Sequence, residues 1–279
     1  MTLRRLLPDS GSRTLIMGVL NVTPDSFFDR GRFFDKKKAI ARAQEMALSG
    51  ADIIDIGGES TRPGSKAVSL KEELKRVLPV IEAVAGKTKK PISIDTRKAP
   101  VAEAALKAGA RIINDVSALK YDPAMADVAA KYKAAVILMH MKGTPQTMQR
   151  APSYKDVIRE IISYLKESAI LAIEAGVNKE AIIVDPGIGF GKTLEHNLEI
   201  LRRLKELKAL GYPVCIGTSR KSFIGKLSDS DEPGDRLAGT ITSCVVAIMN
   251  GADILRVHDV KEVAQAAKVT DRIMRKWQN

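Results

Sequence analysis

The sequence has little of several residue types that mark specialised proteins. It contains 2 cysteines, 3 histidines and 1 tryptophan in 279 residues, and aromatic residues make up 4% of it. Two cysteines cannot build the disulfide framework of a small secreted domain, and neither lies in a C-x-x-C motif. Cys215 and Cys244 stand in the apolar surroundings PVCIG and TSCVVAIM, which predicts two buried free thiols.

Long apolar runs are also missing. A transmembrane helix needs about 18 or more apolar residues in succession, whereas the densest run here, 134–139, has the length of a strand. Near the start, Pro8 and Asp9 follow the apolar pair at 6–7, so no secretory signal core fits there. We therefore expect a cytoplasmic chain with no membrane partner.

What is present is an ordinary globular composition with an excess of positive charge. Hydrophobic residues account for 45% and charged residues for 28%, which excludes a disordered or collagen-like chain. The 45 Lys and Arg exceed the 33 Asp and Glu by 12, and such an excess attracts nucleic acid, membrane surfaces or small anions. The lysines are scattered among acids, without the interleaved aromatics of single-strand binders. We interpret them as a solvated surface and expect no nucleic-acid partner.

Short β-rich runs alternate with longer stretches of helical periodicity along the chain. Eight strands are predicted, at 14–20, 52–56, 91–94, 111–113, 134–139, 181–184, 213–217 and 253–257. Helical patterns between them include 69–85, 100–108, 154–175 and 194–210. Several helices end in SGAD, AGAR, EAGV or NGAD, where glycine turns the chain through a left-handed residue into the next strand. Eight such units predict a single (β/α)₈ TIM barrel that spans 1–279 as one domain. An open, doubly wound sheet is the alternative.

Polar residues follow all eight predicted strands, at the end where barrel enzymes carry their chemistry. In chain order these are 21–29 (NVTPDSFFD), 57–64 (GGESTRPG), Asp95, 114–115 (ND), His140, Asp185, 217–222 (GTSRKS) and 256–259 (RVHD). One polar residue at a strand end is usually a cap. Eight are hard to explain in that way, because a buried unpaired polar group costs about 1–3 kcal/mol. The pattern predicts a functional rim.

The rim has two chemical halves. Asp95, Asn114 and Asp185 offer hydrogen-bond acceptors and an amide, which suit a ligand edge with several N–H donors and a carbonyl, as in a 2-amino-4-oxo heterocycle. Taken singly, Asp185 could be a turn residue and Asn114 a helix cap. The other half is cationic, with residues that follow the last two strands, where many barrels hold a phosphate. These are Arg220, Lys221, Arg256 and His258, of which Lys221 could be a surface lysine and His258 a structural core histidine.

Two familiar phosphate-loop patterns fail on spacing at 187–193 (GIGFGKT). The Walker pattern requires glycine where Pro186 stands, and the Rossmann fingerprint requires glycine where Lys192 stands. We expect a flexible loop there, with Phe190 able to flank a ligand. No G-x-S-x-G nucleophile, H-E-x-x-H motif or paired Cys/His cluster is present. Catalysis by positioning and by stabilisation of a departing anion is therefore favoured, and a Schiff-base aldolase that uses Lys221 is the alternative.

Together these segments resemble the dihydropteroate synthases, over about residues 14–272. The similar strings are MGVLNVTPDSF (17–27), GADIIDIGGESTRPGS (50–65), SIDT (93–96), IINDVSAL (112–119), LMHMKGTPQTMQ (138–149), DPGIGFGK (185–192), SRKSFIG (219–225) and RVHDVKE (256–262). The resemblance implies a barrel enzyme of folate synthesis that is a sulfonamide target. It would join 6-hydroxymethyl-7,8-dihydropterin diphosphate to 4-aminobenzoate and release diphosphate. It also implies Mg²⁺ and a homodimer.

The resemblance further implies a role for each matching residue. The pterin pocket would fall on Asp95, Asn114, Met139, Asp185, Gly217, Lys221 and Arg256. The diphosphate site would fall on Asn21, Arg256 and His258, with Asn21 at the Mg²⁺. The aminobenzoate site would fall on Phe27, Thr61, Arg62, Pro63, Phe190, Lys221 and Ser222. Catalytic roles would fall on Asp95, Lys221, Arg256 and His258, in an SN1-like substitution that needs no general base or nucleophilic side chain.

The first loop departs from the family pattern NVTPDSFSDGG, because Phe28 replaces serine and Arg30 replaces glycine. This departure concerns the geometry of the aminobenzoate side and leaves the pterin side as the family has it. Two further alternatives share the barrel and the acceptor pocket: a pterin-dependent methyltransferase and a non-catalytic pterin-binding paralogue. The methyltransferase would have no use for the SRKS and RVHD cations.

Overall fold

Eight parallel strands alternate with helices in the computed structural model, which describes residues 2–22, 28–29, 33–34, 36–60, 64–65 and 67–274. The strands are β1 (Leu15–Asn21), β2 (Ile53–Gly57), β3 (Ile92–Asp95), β4 (Ile112–Asp115), β5 (Ala135–Met139), β6 (Ile182–Asp185), β7 (Cys215–Ile216) and β8 (Ile254–Val257). All eight predicted strands are present close to their predicted bounds. A two-residue antiparallel pair, Phe28–Asp29 with Phe33–Phe34, lies between β1 and the next helix.

The strands pair in the order β6-β5-β4-β3-β2-β1-β8-β7. A parallel bridge between Val184 of β6 and Val214, just before β7, joins the two edges of this sheet. The (β/α)₈ barrel is therefore confirmed, and the open doubly wound sheet is wrong. The assignment of 1–279 to one domain stays a prediction.

Helices α2 to α10 alternate with the strands around the barrel, and each of the four predicted helical stretches overlaps one of them. They are α1 (Leu3–Leu6), α2 (Lys36–Leu48), α3 (Leu70–Ala85), α4 (Ala99–Lys107), α5 (Met125–Lys131), α6 (Val157–Glu174), α7 (Leu194–Arg202), α8 (Ser222–Ser228), α9 (Leu237–Met249) and α10 (Val260–Met274). The helix predicted at 194–210 divides, because α7 ends at Arg202 and a 3₁₀ helix covers Leu204–Leu210. Leu204 and Leu207, three residues apart, are both buried, and a 3₁₀ helix places that spacing on one side. None of the described helices is long and apolar enough to cross a membrane.

The predicted glycine turns occur at all four sites. Gly50, Gly109, Gly176 and Gly251 have φ angles of 110°, 121°, 98° and 98°, in the region that L side chains rarely adopt. Each therefore ends its helix and directs the chain into the following strand.

The interior of the barrel is apolar at its amino-terminal end. Met17, Ile53, Ile112, Ile183 and Ile254 are fully buried there, together with Cys215. Leu3 and Leu7 of the first segment cover this end. Both cysteines are buried free thiols, as predicted. Polar chemistry is thereby left to the carboxyl end of the strands.

Candidate functional site

A hydrogen-bonded group of charged residues occupies the carboxyl end of the barrel. Arg256 of β8 donates from Nε to Asp55 Oδ2 of β2 and from Nη2 to Asp95 Oδ2 of β3, both at 2.7 Å. Asn114 of β4 donates from Nδ2 to the same Asp55 oxygen at 3.2 Å. The group therefore joins the ends of four strands.

The register of the strands explains this meeting. Asp95 pairs with Gly57 on one side and with Asn114 on the other. A Cβ built on Gly57 would lie 3.3 Å from Asp95 Cβ, so glycine gives the carboxylate its room. Asp55 lies two residues before Gly57 on the same side of β2, one layer deeper in the barrel.

Asp55 is a site residue that the sequence-based prediction missed. It is fully buried, and its Oδ1 has no hydrogen-bond partner among the described residues. The sequence feature that could have identified it is a carboxylate within the apolar run IIDIG, because a buried charge requires an oppositely charged or hydrogen-bonding partner.

Burial raises the pKa of Asp95 to about 7, although the guanidinium of Arg256 opposes the shift. Burial works against the charge of Arg256 too, but the carboxylates of Asp55 and Asp95 outweigh it and raise the pKa of Arg256. The arginine is therefore a permanent cation, and Asp95 changes its charge near neutral pH.

Asp185 and Lys221 form the other side of the site. Asp185 is buried, accepts the Gly187 N–H at 2.7 Å, and has its pKa raised by burial. The amine of Lys221, at the start of α8, donates to the Ile188 carbonyl and lies 4.8 Å from the centre of the Phe190 ring. Burial lowers the pKa of Lys221 to about 8, and the charge of Asp185 opposes this shift.

Gly217 connects the two sides. A Cβ built on it would lie 3.7 Å from Arg256 Cβ and 3.9 Å from Lys221 Nζ. Met139 ends β5 in register with Asp185 and is buried. The structure thus brings the predicted pterin residues together around one end of the barrel.

The two remaining predicted cations are paired with neighbours. His258 Nδ1 lies 3.0 Å from Ser219 Oγ, and the backbone N–H of His258 donates to the same oxygen at 3.2 Å. Arg220 donates from Nε to Asp259 at 2.9 Å, so its guanidinium joins the loops after β7 and β8. Arg220 has a φ of 59°, and its backbone N–H donates a hydrogen bond to Thr240 Oγ1 at 3.0 Å, which helps to hold this conformation.

The aminobenzoate residues are described only in part. Ser222 is the first residue of α8, and Phe190 lies next to Lys221. Phe27, Thr61, Arg62 and Pro63 lie outside the described residues.

The loop at 187–193, for which flexibility is predicted, packs closely against the chain after β5. Gly187, Gly189 and Gly191 have φ angles of 69°, 81° and 66°. A Cβ on Gly187 would lie 2.0 Å from the His140 carbonyl oxygen, and one on Gly191 would lie 2.3 Å from that of Lys142. Glycine at these positions therefore lets two backbones pack closely, where any side chain would clash.

Comparison with known proteins agrees with this geometry. Residues 17–258 match the family described as pterin binding enzyme. The chain is 52% identical over 267 residues to a dihydropteroate synthase of Synechocystis sp., covering 96% of this chain and 92% of that protein. The chain belongs to the dihydropteroate synthase family.

Solved structures of the family share the fold over almost the whole chain. A dihydropteroate synthase from Clostridium difficile, crystallised in the presence of pteroic acid, is 52% identical with a TM-score of 0.91, covering 96% of this chain and 99% of that one. The Xanthomonas albilineans enzyme with 4-aminobenzoic acid is 43% identical with a TM-score of 0.88, covering 95% and 94%.

The donor set of the dihydropteroate synthase site suits a cation held mainly by its substrate. Among the described residues, no group of three or more His, Cys, Asp or Glu side chains is placed to hold a metal ion. Asn21 ends β1 in register with Gly57 and is partly buried. Mg²⁺ commonly takes one or two protein oxygens and completes its shell with substrate phosphates and water, so a single amide oxygen fits it.

Proposed function

We propose that the chain condenses 6-hydroxymethyl-7,8-dihydropterin diphosphate with 4-aminobenzoate, giving 7,8-dihydropteroate and diphosphate. The observation that carries this proposal is the placing of buried acceptors beside two cations at one end of the barrel. Asp95, Asn114 and Asp185 are all nearly inaccessible to solvent, and Arg256 and Lys221 lie next to them.

The acceptors match the edge of a pterin ring. Its 2-amino group and ring N–H donate hydrogen bonds, and its 4-oxo group accepts one. Asp185 can accept, while the Asn114 amide can both donate and accept. Such pairing gives strong discrimination, because a ring without these donors would leave buried carboxylates unsatisfied.

The cations serve the leaving group. Diphosphate departs first, and Arg256, Lys221 and His258 stabilise the negative charge that develops on it. The aromatic amine then attacks the pterin methylene cation. Because an aniline nitrogen is uncharged at neutral pH, it attacks without prior deprotonation. The arylammonium formed is a strong acid, so it releases its proton to water or to the departed diphosphate without a general base from the protein. The proposed aminobenzoate site consists of Phe27, Thr61, Arg62, Pro63, Phe190, Lys221 and Ser222.

Mg²⁺ is part of the proposal, held by Asn21 and by the diphosphate of the substrate. When bound, it neutralises phosphate charge. Calorimetry of pterin diphosphate binding with and without Mg²⁺ tests this assignment. We expect Asn21→Ala to lose the Mg²⁺-dependent part of the affinity, and an equal dependence in both proteins would remove Asn21 from the site.

One incubation distinguishes the functions. With both substrates present, we expect dihydropteroate and diphosphate to form in equal amounts, and no dihydropteroate to form when aminobenzoate is omitted. Pterin binding without turnover would indicate a non-catalytic paralogue, and methyl transfer in a second incubation supplied with a methyl donor would indicate a methyltransferase. Trapping of Lys221 by borohydride with a carbonyl substrate would favour the aldolase.

A homodimer in the cytoplasm completes the proposal. Helices α9 and α10 pack together and carry exposed apolar side chains, among them Val246, Met249, Val269 and Ile273. Light scattering should give a dimer for the wild type and a monomer for Val269→Glu with Ile273→Glu. The matched control is Leu171→Glu on α6, an exposed leucine whose replacement should leave the dimer intact. The reverse result would place the interface on α6.

A further inference from the structure

Lys192 is a buried lysine that the proposed chemistry does not use. It is 2% exposed, and its Nζ lies 3.0 Å from His140 Nδ1, 3.0 Å from the Phe190 carbonyl oxygen and 3.5 Å from the His140 carbonyl oxygen. These partners are uncharged, since burial lowers the pKa of His140 to about 2. Burial also lowers the pKa of Lys192 well below its usual range, although Asp185 opposes the shift. Burying an amine is costly, so its position calls for a reason.

The lysine links two strand ends. His140 directly follows β5, and Phe190 lies in the loop after β6. Other bonds fix this loop on either side: Gln149 Nε2 donates to the Gly189 carbonyl at 2.6 Å, and Tyr154 Oη donates to the Gly191 carbonyl at 2.7 Å. Between these two bonds, the Lys192 amine donates a hydrogen bond to the Phe190 carbonyl oxygen. The amine therefore holds the residue that lies between these two anchors.

The same stretch faces Lys221. The Ile188 carbonyl accepts from the Lys221 amine, and the Phe190 ring centre lies 4.8 Å from that amine. A Cβ on Gly189 would lie 3.5 Å from Lys221 Cδ, so the loop backbone is in contact range of the lysine stem. A shift of the Phe190 backbone would therefore alter both the ring and the surroundings of Lys221.

We propose that Lys192 is a positioning residue for the aminobenzoate side of the site. Its amine fixes the Phe190 carbonyl against His140 and thereby sets the place of the Phe190 ring beside Lys221. This role rests on the proposed function, since it assigns Phe190 to aminobenzoate. It predicts a defect in aminobenzoate use that leaves pterin binding intact.

Lys192→Met tests the role, because methionine keeps an unbranched apolar stem and removes the amine. We expect the KM for aminobenzoate to rise about fivefold or more, which corresponds to one lost hydrogen bond of ~1 kcal/mol. The Kd for pterin diphosphate should stay within about twofold. The matched control is Lys142→Met, whose amine donates to the Ser153 carbonyl at 2.6 Å and not to Phe190. It should change neither constant.

A double-mutant cycle with Phe190→Ala identifies the route. If Lys192 acts through Phe190, Lys192→Met adds no further rise in KM in the Phe190→Ala background. Lys192→Gln keeps a donor and should recover part of the loss. A wild-type KM in Lys192→Met, additive effects in the cycle, or an equal loss of pterin affinity would each overturn the role, as would a lowered melting temperature with unchanged KM.

Failure of the proposed function would look different. If the wild-type protein forms no dihydropteroate, hydrogen exchange of the 186–193 peptide decides the positioning role. Faster exchange in Lys192→Met than in Lys142→Met would support it, and equal exchange would overturn it.

Discussion

Replacement of Asp185 by asparagine tests the acceptor pocket most directly. The side chain is buried at the end of β6, and its Oδ1 already accepts the Gly187 N–H at 2.7 Å. An asparagine that keeps this bond with its oxygen must direct its NH₂ group at the ligand. A donor would then face the N–H donors of the pterin ring.

The magnitude follows from that mismatch. A buried polar group left unpaired costs about 1–3 kcal/mol, which weakens binding by roughly 5- to 150-fold. Isothermal calorimetry with pterin diphosphate measures the loss, and circular dichroism checks that the barrel is folded.

Asp115 provides the matched control. It is also a buried aspartate at a strand end, but its carboxylate accepts the N–H groups of Ser117 and Leu119, each at 2.8 Å. Asp115→Asn should lower the melting temperature and leave pterin affinity unchanged. Wild-type affinity in Asp185→Asn, or an equal loss in Asp115→Asn, would refute the pocket assignment.

Three further outcomes are expected. Lys221→Ala should lower kcat by about 100- to 1,000-fold (~2.7–4 kcal/mol), as loss of a charge stabiliser does, whereas Lys205→Ala should have no effect; a Lys221→Ala enzyme within a few-fold of wild type would exclude that lysine from catalysis. The dependence of kcat/KM for pterin diphosphate on pH should be bell-shaped, because Asp95 ionises only as the pH rises through about 7 and Lys221 loses its charge above about 8. Lys221→Arg should abolish the fall in kcat/KM at high pH. An unchanged fall would mean that another group causes it. Gly187→Ala should lower the free energy of unfolding, measured by chemical denaturation, far more than Gly211→Ala. Both residues have positive φ, which costs alanine about 1–2 kcal/mol, but a Cβ on Gly187 would lie 2.0 Å from a backbone oxygen, while one on Gly211 meets nothing within 4 Å. Equal losses would show that the loop backbone shifts to accommodate the added Cβ.

The barrel could be predicted from local patterns alone. Each strand is a short apolar run, and each helix that precedes a glycine turn carries its own periodicity, so no long-range contact is needed to recognise the units. The site was predictable to the same extent, because the carboxyl ends of parallel strands meet at one end of a barrel. Asp95, Asn114, Asp185 and Arg256 could therefore be grouped from strand positions, and the family resemblance added their roles.

The hydrogen-bond partners of the charged side chains could not be predicted, because they depend on strand register and on the direction of each side chain. Arg220 and Lys221 are neighbours in the sequence, yet the positive φ of Arg220 sends its guanidinium to Asp259 while Lys221 turns to Ile188. Asp55 stands inside an apolar strand, and only the pairing of both β2 and β8 with β1 brings Arg256 of β8 within reach of it.

The loop after β6 shows the same division. Its three glycines are typical of mobility in the sequence, and the prediction of a flexible loop followed from them. In the fold they allow close backbone contact with residues 140–142, and Lys192 adds a hydrogen bond to His140. Glycine content sets which backbone conformations are accessible, and it is the neighbouring chain, present only in the tertiary structure, that selects one of them.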